Sequence, residues 1–175
     1  MGRRLTPKGE GEMKGKGNDG RGDNQDRDLW QTEQGFWDLL NAQYAFRFDC
    51  CASEQNKKTQ QFSGNFESVH SVNMGWMNPP FSKAMAMFKH FFNVVKSGVA
   101  IYRFDNPETK IWQEVIFPNA SWVFIPSGRV SYTPFDITIR GGLTRFPSAL
   151  IGLNVEPPKS IKGFVLTAQR IGDNL

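Results

Sequence analysis

The chain has few of the residues that commonly bind metals. Its two cysteines, Cys50 and Cys51, are adjacent, a spacing that would strain a disulfide, and the second pair that a structural zinc site needs is missing. Its two histidines, His70 and His90, lie far apart and belong to no ligand pattern. We therefore expect reduced thiols packed as small apolar groups, histidines on the surface or on a helix, and no metal.

Long hydrophobic runs are also absent. The most apolar helical segment, after Ser82, contains Lys83, Lys89, His90 and Lys96, and the N-terminus has no apolar core like that of a signal peptide. These features argue against a membrane span, and we expect a cytoplasmic protein without a membrane partner.

A large excess of one charge is missing as well. The formal net charge is +4 at pH 7 and the isoelectric point is about 9.2, which permits binding to a polyanion without requiring it. Residues 1–28 are rich in Gly, Lys, Arg and Asp, their charges nearly cancel, and they contain too few large apolar residues to fold alone. We predict a flexible solvated tail at residues 1–28, rather than a basic nucleic-acid-binding arm, and one domain at residues 29–175.

What the chain does contain suffices for one core, since 39% of its residues are hydrophobic and 13% aromatic. The spacing of the apolar residues predicts alternating strands and helices. The predicted strands are residues 44–48, 72–77, 99–104, 122–125, 149–154 and 164–166; the predicted helices are residues 33–41 with Thr32 as N-cap, a segment after Ser82 that ends at Gly98, and residues 108–116. Fewer than thirty residues separate Asp49 from Asn78, so the sheet must be abbreviated there.

The most informative segment is Asn78-Pro79-Pro80-Phe81, which lies between a predicted strand and a predicted helix. In an open α/β sheet this is the carboxyl edge, where ligands bind. The side-chain oxygen of Asn78 and the carbonyl of Pro79 can accept the two hydrogens of an amino group on a flat ring, while Phe81 stacks on that ring. The two prolines restrict the backbone and aim the Pro79 carbonyl. The segment therefore points to methylation of a planar amine, although an Asn-Pro-Pro string can also simply end a strand and start a helix.

A second segment, Phe48-Asp49-Cys50-Cys51-Ala52-Ser53, has an acid at a strand end followed by small residues. Small residues let a cofactor approach the backbone closely, and the acid can hold an ammonium group or a ribose hydroxyl. On spacing alone, an N-cap or turn role for Asp49 is at least as compatible with the sequence.

Read together, the motifs occur in a recognisable order. They are Trp30-Gln31-Thr32, Phe48-Asp49-Cys50-Cys51-Ala52-Ser53, Glu54-Gln55-Asn56-Lys57, Asn78-Pro79-Pro80-Phe81-Ser82 and Arg145-Phe146-Pro147-Ser148. From about Trp30 to Leu153 this series resembles the phage-type, Dam-like DNA adenine-N-6 methyltransferases. The chain departs from the family pattern at Glu33, where Pro is commoner, at Cys50-Cys51, which replace Ala-Ala, and at Phe81, which replaces Tyr.

The resemblance implies an α/β fold, namely the abbreviated Rossmann-like sheet, flanked by helices, of an S-adenosylmethionine-dependent methyltransferase. It implies methyl transfer from S-adenosylmethionine to the exocyclic amine of a flipped adenine in double-stranded DNA, without a metal. It also suggests a setting, the modification of phage DNA against host restriction in the cytoplasm of a bacterial cell.

Carried onto this chain, the resemblance assigns residues to two sites. The catalytic residues are Asn78, Pro79, Pro80 and Phe81; the cofactor-binding residues are Trp30, Thr32, Asp49, Cys50, Cys51, Ala52, Ser53 and Asn56. Asn56 can equally form a local turn. Glu67 is the nearest candidate for the acid that holds the cofactor's ribose hydroxyls.

The best candidates for DNA contact lie after the motif, because the chain has no room for a separate recognition domain. Residues 127–146 read as a Gly-rich hairpin or loop with interspersed Arg, which can bind phosphate and read guanine edges; a solvated loop is equally compatible. The predicted DNA-binding residues are Ser82, Lys110, Arg129, Arg140 and Arg145.

Two rival functions stay open at this point. An enzyme of the same fold could methylate another planar amine, such as an RNA guanine or a protein glutamine. A catalytically inactive relative could bind DNA alone.

Overall fold

The structure, a computed structural model, describes residues 30–134, 142–143 and 146–167. The predicted tail at residues 1–28 and residues Arg140 and Arg145 lie outside the described residues. The proposed domain boundary therefore stays a prediction.

Within the described ranges the chain combines strands and helices up to residue 119 and forms strands alone after it. The strands are β1 (Trp30–Thr32), β2 (Phe48–Asp49), β3 (Gln61–Phe62), β4 (Val72–Met77), β5 (Val95–Arg103), β6 (Trp122–Pro126), β7 (Ser131–Pro134), β8 (Gly142–Leu143), β9 (Ser148–Leu153) and β10 (Gly163–Thr167). The helices are α1 (Gln34–Tyr44), α2 (Ala84–Val94) and a π-helix, Ile111–Ile116, that continues into the short α3 (Phe117–Asn119); single 3-10 turns lie at Phe66–Ser68 and Phe81–Lys83.

The main sheet is mixed and has seven strands in the order β10-β6-β9-β5-β4-β2-β3. Strands β3, β2, β4 and β5 are parallel, whereas β9 runs antiparallel to both β5 and β6, and β10 runs antiparallel to β6. A smaller sheet has the order β1-β7-β8. The chain leaves β2 toward β3 on one side and leaves β4 toward β5 on the other, so the direction of winding reverses between β2 and β4.

Both faces of the main sheet are covered. Residues alternate along β4 and β5, so that Met77 and Ala100 face a core shared with α2 and the π-helix, while Trp76 and Val99 face a second core shared with α1. Fully burying a large apolar side chain stabilises a fold by about 1.5 to 3 kcal/mol. The two cores therefore hold helices on both faces and leave the strand ends for the site.

The sequence pattern predicts α2 as far as Gly98, but the helix ends at Val94 and β5 begins at Val95. Adjacent β-branched residues favour an extended chain, which explains the early change from helix to strand. Gly98 instead serves a close approach of two strands, because a Cβ there would lie 2.4 Å from the Gly75 carbonyl oxygen.

The prediction that Thr32 caps α1 is wrong. Thr32 pairs with Tyr132 in the small sheet, and the next residue, Glu33, is the N-cap. Its carboxylate accepts hydrogen bonds from the Gly35 and Phe36 amides, each at 2.9 Å. These bonds satisfy two of the amides that a helix start leaves without partners.

Helix α1 also continues to Tyr44, so the strand predicted at residues 44–48 shortens to β2. The helix ends at Ala45, which adopts a left-handed conformation with φ of 52°, and the Tyr44 hydroxyl donates to the Glu156 carbonyl at 2.8 Å. The side chain of Tyr44 therefore anchors the last helical turn in the core.

The other predicted elements agree with the structure to within a few residues at their ends. Strand β4 spans the predicted residues 72–77, the π-helix replaces the α-helix predicted at residues 108–116, and β7 and β8 lie within the predicted hairpin. Between Asp49 and Asn78 the chain forms β3 and one 3-10 turn before β4, which confirms that the sheet is abbreviated there. Among the described helices, none is long and apolar enough to cross a membrane.

Candidate functional site

Asp49 and Asn78 lie beside each other in the topology because they end neighbouring parallel strands. Asp49 is the last residue of β2, Asn78 follows β4, and the Cys50 amide continues the pairing by donating to the Trp76 carbonyl at 2.8 Å. The winding reverses at this point, and in open α/β sheets ligands bind at the carboxyl ends of the strands beside such a reversal.

The side chain of Asn78 is oriented by the small sheet. Its Nδ2 donates to the Trp30 carbonyl at 3.1 Å. A carbonyl only accepts hydrogen bonds, so the amide must present its nitrogen to Trp30 and its oxygen in another direction. Asn78 Oδ1 therefore faces away from the Trp30 carbonyl, and it accepts no hydrogen bond from the described residues.

The two prolines separate this amide from a tight turn. Pro80 is extended, with φ of −60° and ψ of 133°, and its carbonyl accepts from the Lys83 amide at 3.1 Å. The Pro79 carbonyl comes one residue earlier, before the turn begins. The turn therefore begins at Pro80, and Pro79 lies between the turn and Asn78.

Phe81 lies among other aromatic side chains and is partly exposed. Its ring meets Phe146 edge-on at 5.6 Å between centroids and Tyr102 at 6.1 Å. Such edge-to-face contacts are favourable and limit the positions of the ring. The neighbouring rings therefore hold Phe81 at the edge of the site.

Asp49 is a buried acid with backbone partners. Its carboxylate accepts from the Lys58 amide at 3.0 Å and from the Cys51 amide, and only 3% of the residue is exposed. Burial raises the pKa of Asp49 to about 6, although the two backbone hydrogen bonds and the Lys58 charge oppose the shift. At neutral pH the carboxyl is therefore ionised but poorly solvated, so a cationic ligand would stabilise it.

Two adjoining cavities border Asn78, and the smaller of them also borders Asp49. The larger, of about 240 Å³, lies between the loop after β2 and the turn after β4; the smaller, of about 30 Å³, lies beside β1. Asn78, Cys51 and Asn56 line both.

All eight predicted cofactor-binding residues line at least one of these cavities. Cys50, Cys51, Ala52, Ser53 and Asn56 line the larger; Trp30, Thr32, Asp49, Cys51 and Asn56 line the smaller. Of the four predicted catalytic residues, Asn78 and Pro80 line the larger cavity, whereas Pro79 and Phe81 are outside both sets of lining residues.

The hydroxyl oxygen of Thr32 is a buried polar atom that borders the smaller cavity. The residue is 1% exposed, and its hydroxyl oxygen has no hydrogen-bond partner among the described residues. Buried polar atoms without partners are rare and often mark a missing ligand or water. The hydroxyl is thus a candidate ligand group beside Asp49.

Cys50 and Cys51 are free thiols that take different positions. Cys50 is fully buried in the core, whereas Cys51 is partly exposed. Burial raises the pKa of both thiols, and the Asp49 charge adds to the increase. They therefore stay protonated and act as small, weakly polar packing groups.

Asn56 forms a local turn and also borders the cavities. Its Oδ1 accepts from the Ser53 amide at 2.7 Å and from the Ser53 hydroxyl at 3.1 Å. The turn shapes the loop after β2, and the residue lines the site. Both roles considered for Asn56 are therefore compatible with the structure.

The described candidates for DNA contact lie at the same edge of the sheet as Asn78. Ser82, Lys110 and Arg129 are exposed and follow β4, β5 and β6, whose carboxyl ends share that edge. Arg140 and Arg145 lie outside the described residues. None of the three described residues lines either cavity.

Sequence reasoning missed residues that line the site or border it. Lys83 and Phe66 line the larger cavity, and Arg103 lies over the ring of Phe81. An arginine at the end of an apolar strand was the available signal for Arg103, but its contacts depend on long-range pairing. Glu67, considered for the ribose hydroxyls, also lines the larger cavity. No group of three or more potential metal ligands occurs among the described residues.

Comparison with known proteins identifies a family. A family model described as DNA N-6-adenine-methyltransferase (Dam) matches residues 20–144, which is more than half of the 175-residue chain. The match confirms the resemblance to the Dam-like family; it includes four of the five motifs and ends before Arg145-Phe146-Pro147-Ser148. A search of curated proteins found no match.

Proposed function

The chain belongs to the DNA N-6-adenine-methyltransferase (Dam) family, and we propose that it transfers a methyl group from S-adenosylmethionine to the exocyclic amine of an adenine extruded from double-stranded DNA. The observation that carries this proposal is the hydrogen bond from Asn78 Nδ2 to the Trp30 carbonyl. It turns the amide oxygen away from Trp30, as an acceptor for the amine hydrogens requires.

The residues beside Asn78 fit a cationic cofactor. Asp49 supplies a buried anion, and Thr32 supplies a buried hydroxyl without a partner among the described residues. S-adenosylmethionine supplies an electrophilic methyl group on a sulfonium, together with an ammonium group that a carboxylate can bind. Asp49 and Thr32 would hold the methionine end, and Glu67 would hold the ribose hydroxyls.

The motif residues orient the acceptor amine. In adenine the amine lone pair is delocalised into the ring, so the amine is a poor nucleophile. Asn78 Oδ1 and the Pro79 carbonyl accept its two hydrogens, which directs the lone pair out of the ring plane. Phe81 stacks on the base, and each such contact is worth about 1 to 3 kcal/mol, against an unstacking cost of a few kcal/mol. The methylated amine then releases a proton to water.

The sheet supports the proposal of an abbreviated Rossmann-like methyltransferase fold. Its winding reverses between β2 and β4, and the proposed cofactor and base sites lie at the two strand ends beside the reversal. The connection from β2 to β4 contains only β3 and one 3-10 turn, as an abbreviated sheet requires.

The proposed setting is the modification of phage DNA against host restriction, inside the bacterial cell. The exposed Ser82, Lys110 and Arg129 follow strands whose carboxyl ends share the sheet edge with Asn78, and would contact the DNA backbone or base edges. The family match favours adenine in DNA over an RNA guanine or a protein glutamine as the acceptor.

The decisive experiment is incubation of the protein with unmethylated DNA and isotopically labelled cofactor, followed by digestion to nucleosides and mass spectrometry. We expect labelled N6-methyladenine from the wild type and none from N78A. Parallel incubations with RNA and with a protein extract test the rivals, since label in guanine or glutamine and none in adenine would overturn the proposal. Absence of cofactor binding by calorimetry would instead favour an inactive DNA-binding relative.

A further inference from the structure

Arg103 lies at the same sheet edge as the motif, one strand away. It is the last residue of β5, which pairs with β4 on one side and with β9 on the other. Its guanidinium carbon is 5.8 Å from the ring centroid of Phe81 and 4.9 Å from that of Phe146. Both distances fall within the range of cation–π attraction.

Asp105 fixes the guanidinium at two points. Arg103 Nε donates to Asp105 Oδ1 at 2.6 Å, and Nη2 donates to Oδ2 of the same carboxylate. Their side chains are 24% and 25% exposed. The hydrogen bond lowers the pKa of Asp105 and raises that of Arg103, so the pair stays ionised at neutral pH. A bidentate pair fixes orientation as well as distance.

The guanidinium joins two segments that are distant in the sequence. Phe81 follows β4, whereas Phe146 precedes β9, and the Phe104 amide holds the second segment by donating to the Pro147 carbonyl at 2.7 Å. The two rings themselves meet edge-on. Arg103 therefore contacts the rings of both Phe81, the last residue of the motif, and Phe146.

We propose that Arg103 is a positioning residue for methyl transfer, which holds the ring of Phe81 ready to stack on the extruded base. The proposal rests on the proposed function and adds a residue outside the motif to it. Asp105 neutralises the guanidinium and occupies two of its donors, so the pair is poorly suited to bind a DNA phosphate. Arg103 acts instead through the ring, and Asp105 keeps it there.

The test is a double-mutant cycle between Arg103 and Phe81. For each variant, kcat is measured on unmethylated genomic DNA, and Kd for S-adenosylhomocysteine is measured separately by calorimetry. We expect R103M to lower kcat about tenfold, a loss in the range of one desolvated cation–π contact. We expect R103K to recover part of it, because Lys keeps the charge without the bidentate pair. Cofactor affinity should stay unchanged in both.

The cycle separates action through the ring from other roles. In an F81L background R103M should cost less than about twofold, because the contact is already gone. Full additivity of the two losses would overturn the proposal. A second measurement is the salt dependence of DNA binding. Loss of a phosphate contact reduces the slope of log K for DNA against log salt concentration by about 0.9, whereas loss of a positioning residue leaves that slope unchanged. A reduced slope would also overturn it.

R47M is the matched control, because Arg47 is exposed and precedes β2 at the opposite end of the strands. It should keep wild-type kcat and salt slope. The outcomes also separate this proposal from the proposed function. If the losses are additive in an enzyme that methylates adenine, the positioning role of Arg103 is wrong but the proposed function stands. If the wild type binds cofactor and methylates no adenine, both proposals are wrong.

Discussion

The ends of β2 and β4 are neighbours in the sheet but differ in how their polar groups are used. At the end of β2, the Asp49 carboxylate is buried, charged and held by two backbone amides. At the end of β4, Asn78 is neutral, and within the described part of the chain its nitrogen donates to Trp30 while its oxygen has no partner. A buried charge attracts a cation, whereas a neutral acceptor directs a hydrogen-bond donor. This difference is why we propose that the cofactor binds at the end of β2 and the acceptor amine at the end of β4.

The sharpest way to break this assignment is N78A. Removing an acceptor that acts on the reacting group typically costs a factor of about 10² to 10³ in kcat. We expect transfer to be lost at that scale or beyond, while Kd for S-adenosylhomocysteine, measured by calorimetry, changes less than about threefold. N78D is the matched variant, because it keeps the oxygen but replaces the donor to Trp30. Wild-type methylation by N78A would refute the role of Asn78.

D49N tests the other half of the comparison. A neutral amide of the same shape should weaken cofactor binding by about tenfold or more, because it cannot pair with a cation. The kcat measured at saturating cofactor should fall much less than in N78A. An unchanged Kd would show that the anion at β2 is not used for the cofactor.

The pH dependence of Asp49 sharpens the same point. Its folded pKa of about 6 lies above the ordinary value of 3.8, so the folded state binds more protons between these values. The free energy of unfolding contributed by Asp49 is therefore fully present below pH 4 and is lost as pH rises through 6. Cofactor affinity should change in the opposite direction, falling by up to about tenfold per pH unit below 6. D49N should remove both trends in denaturant titrations and in calorimetry; persistence of either would point to another group.

Phe81 should give an intermediate effect. F81L removes a stack worth about 1 to 3 kcal/mol, so we expect kcat/KM for DNA to fall by a factor of about 5 to 100 with cofactor binding unchanged. F81Y keeps the ring and should stay within about threefold of wild type. Equal losses in the two variants would mean that the ring is not the part in use.

The smallest effect is expected from C51A. Cys51 is a neutral thiol that lines both cavities, and Ala differs from it by one atom. Cofactor affinity should change less than about twofold. A larger gain would indicate that the thiol obstructs the cofactor, and a larger loss that it binds it.

Local patterns predicted the position of β4 and of the motif after it better than they predicted the ends of elements. Strand β4 and the motif after it were predictable, because alternation, two prolines and a helical apolar stripe all lie within one short segment. The cap of α1 was not, since Thr32 and Glu33 both suit the position locally. Pairing with the distant Tyr132 decides between them by fixing Thr32 in β1.

The residues that sequence reasoning missed share a dependence on distant contacts. Arg103 reads as an ordinary charged strand end until Phe146, more than forty residues later, is brought beside it. The end of α2 failed for a different reason, because glycine is a common helix stop but here Gly98 serves the approach of β5 to Gly75. In both cases the residue type was evident from the sequence, but the distant residue that it contacts was not.

The hydrogen bond between Asn78 and Trp30 links the motif to the pairing of β1 with β7. Trp30 begins β1, and each residue of β1 pairs with β7, one arm of the hairpin near the site. A change in the hairpin that displaced β1 would move the Trp30 carbonyl and reorient the Asn78 side chain. We therefore expect sequence changes in the hairpin to be compatible with the proposed methyl transfer only where they keep the pairing of β7 with β1.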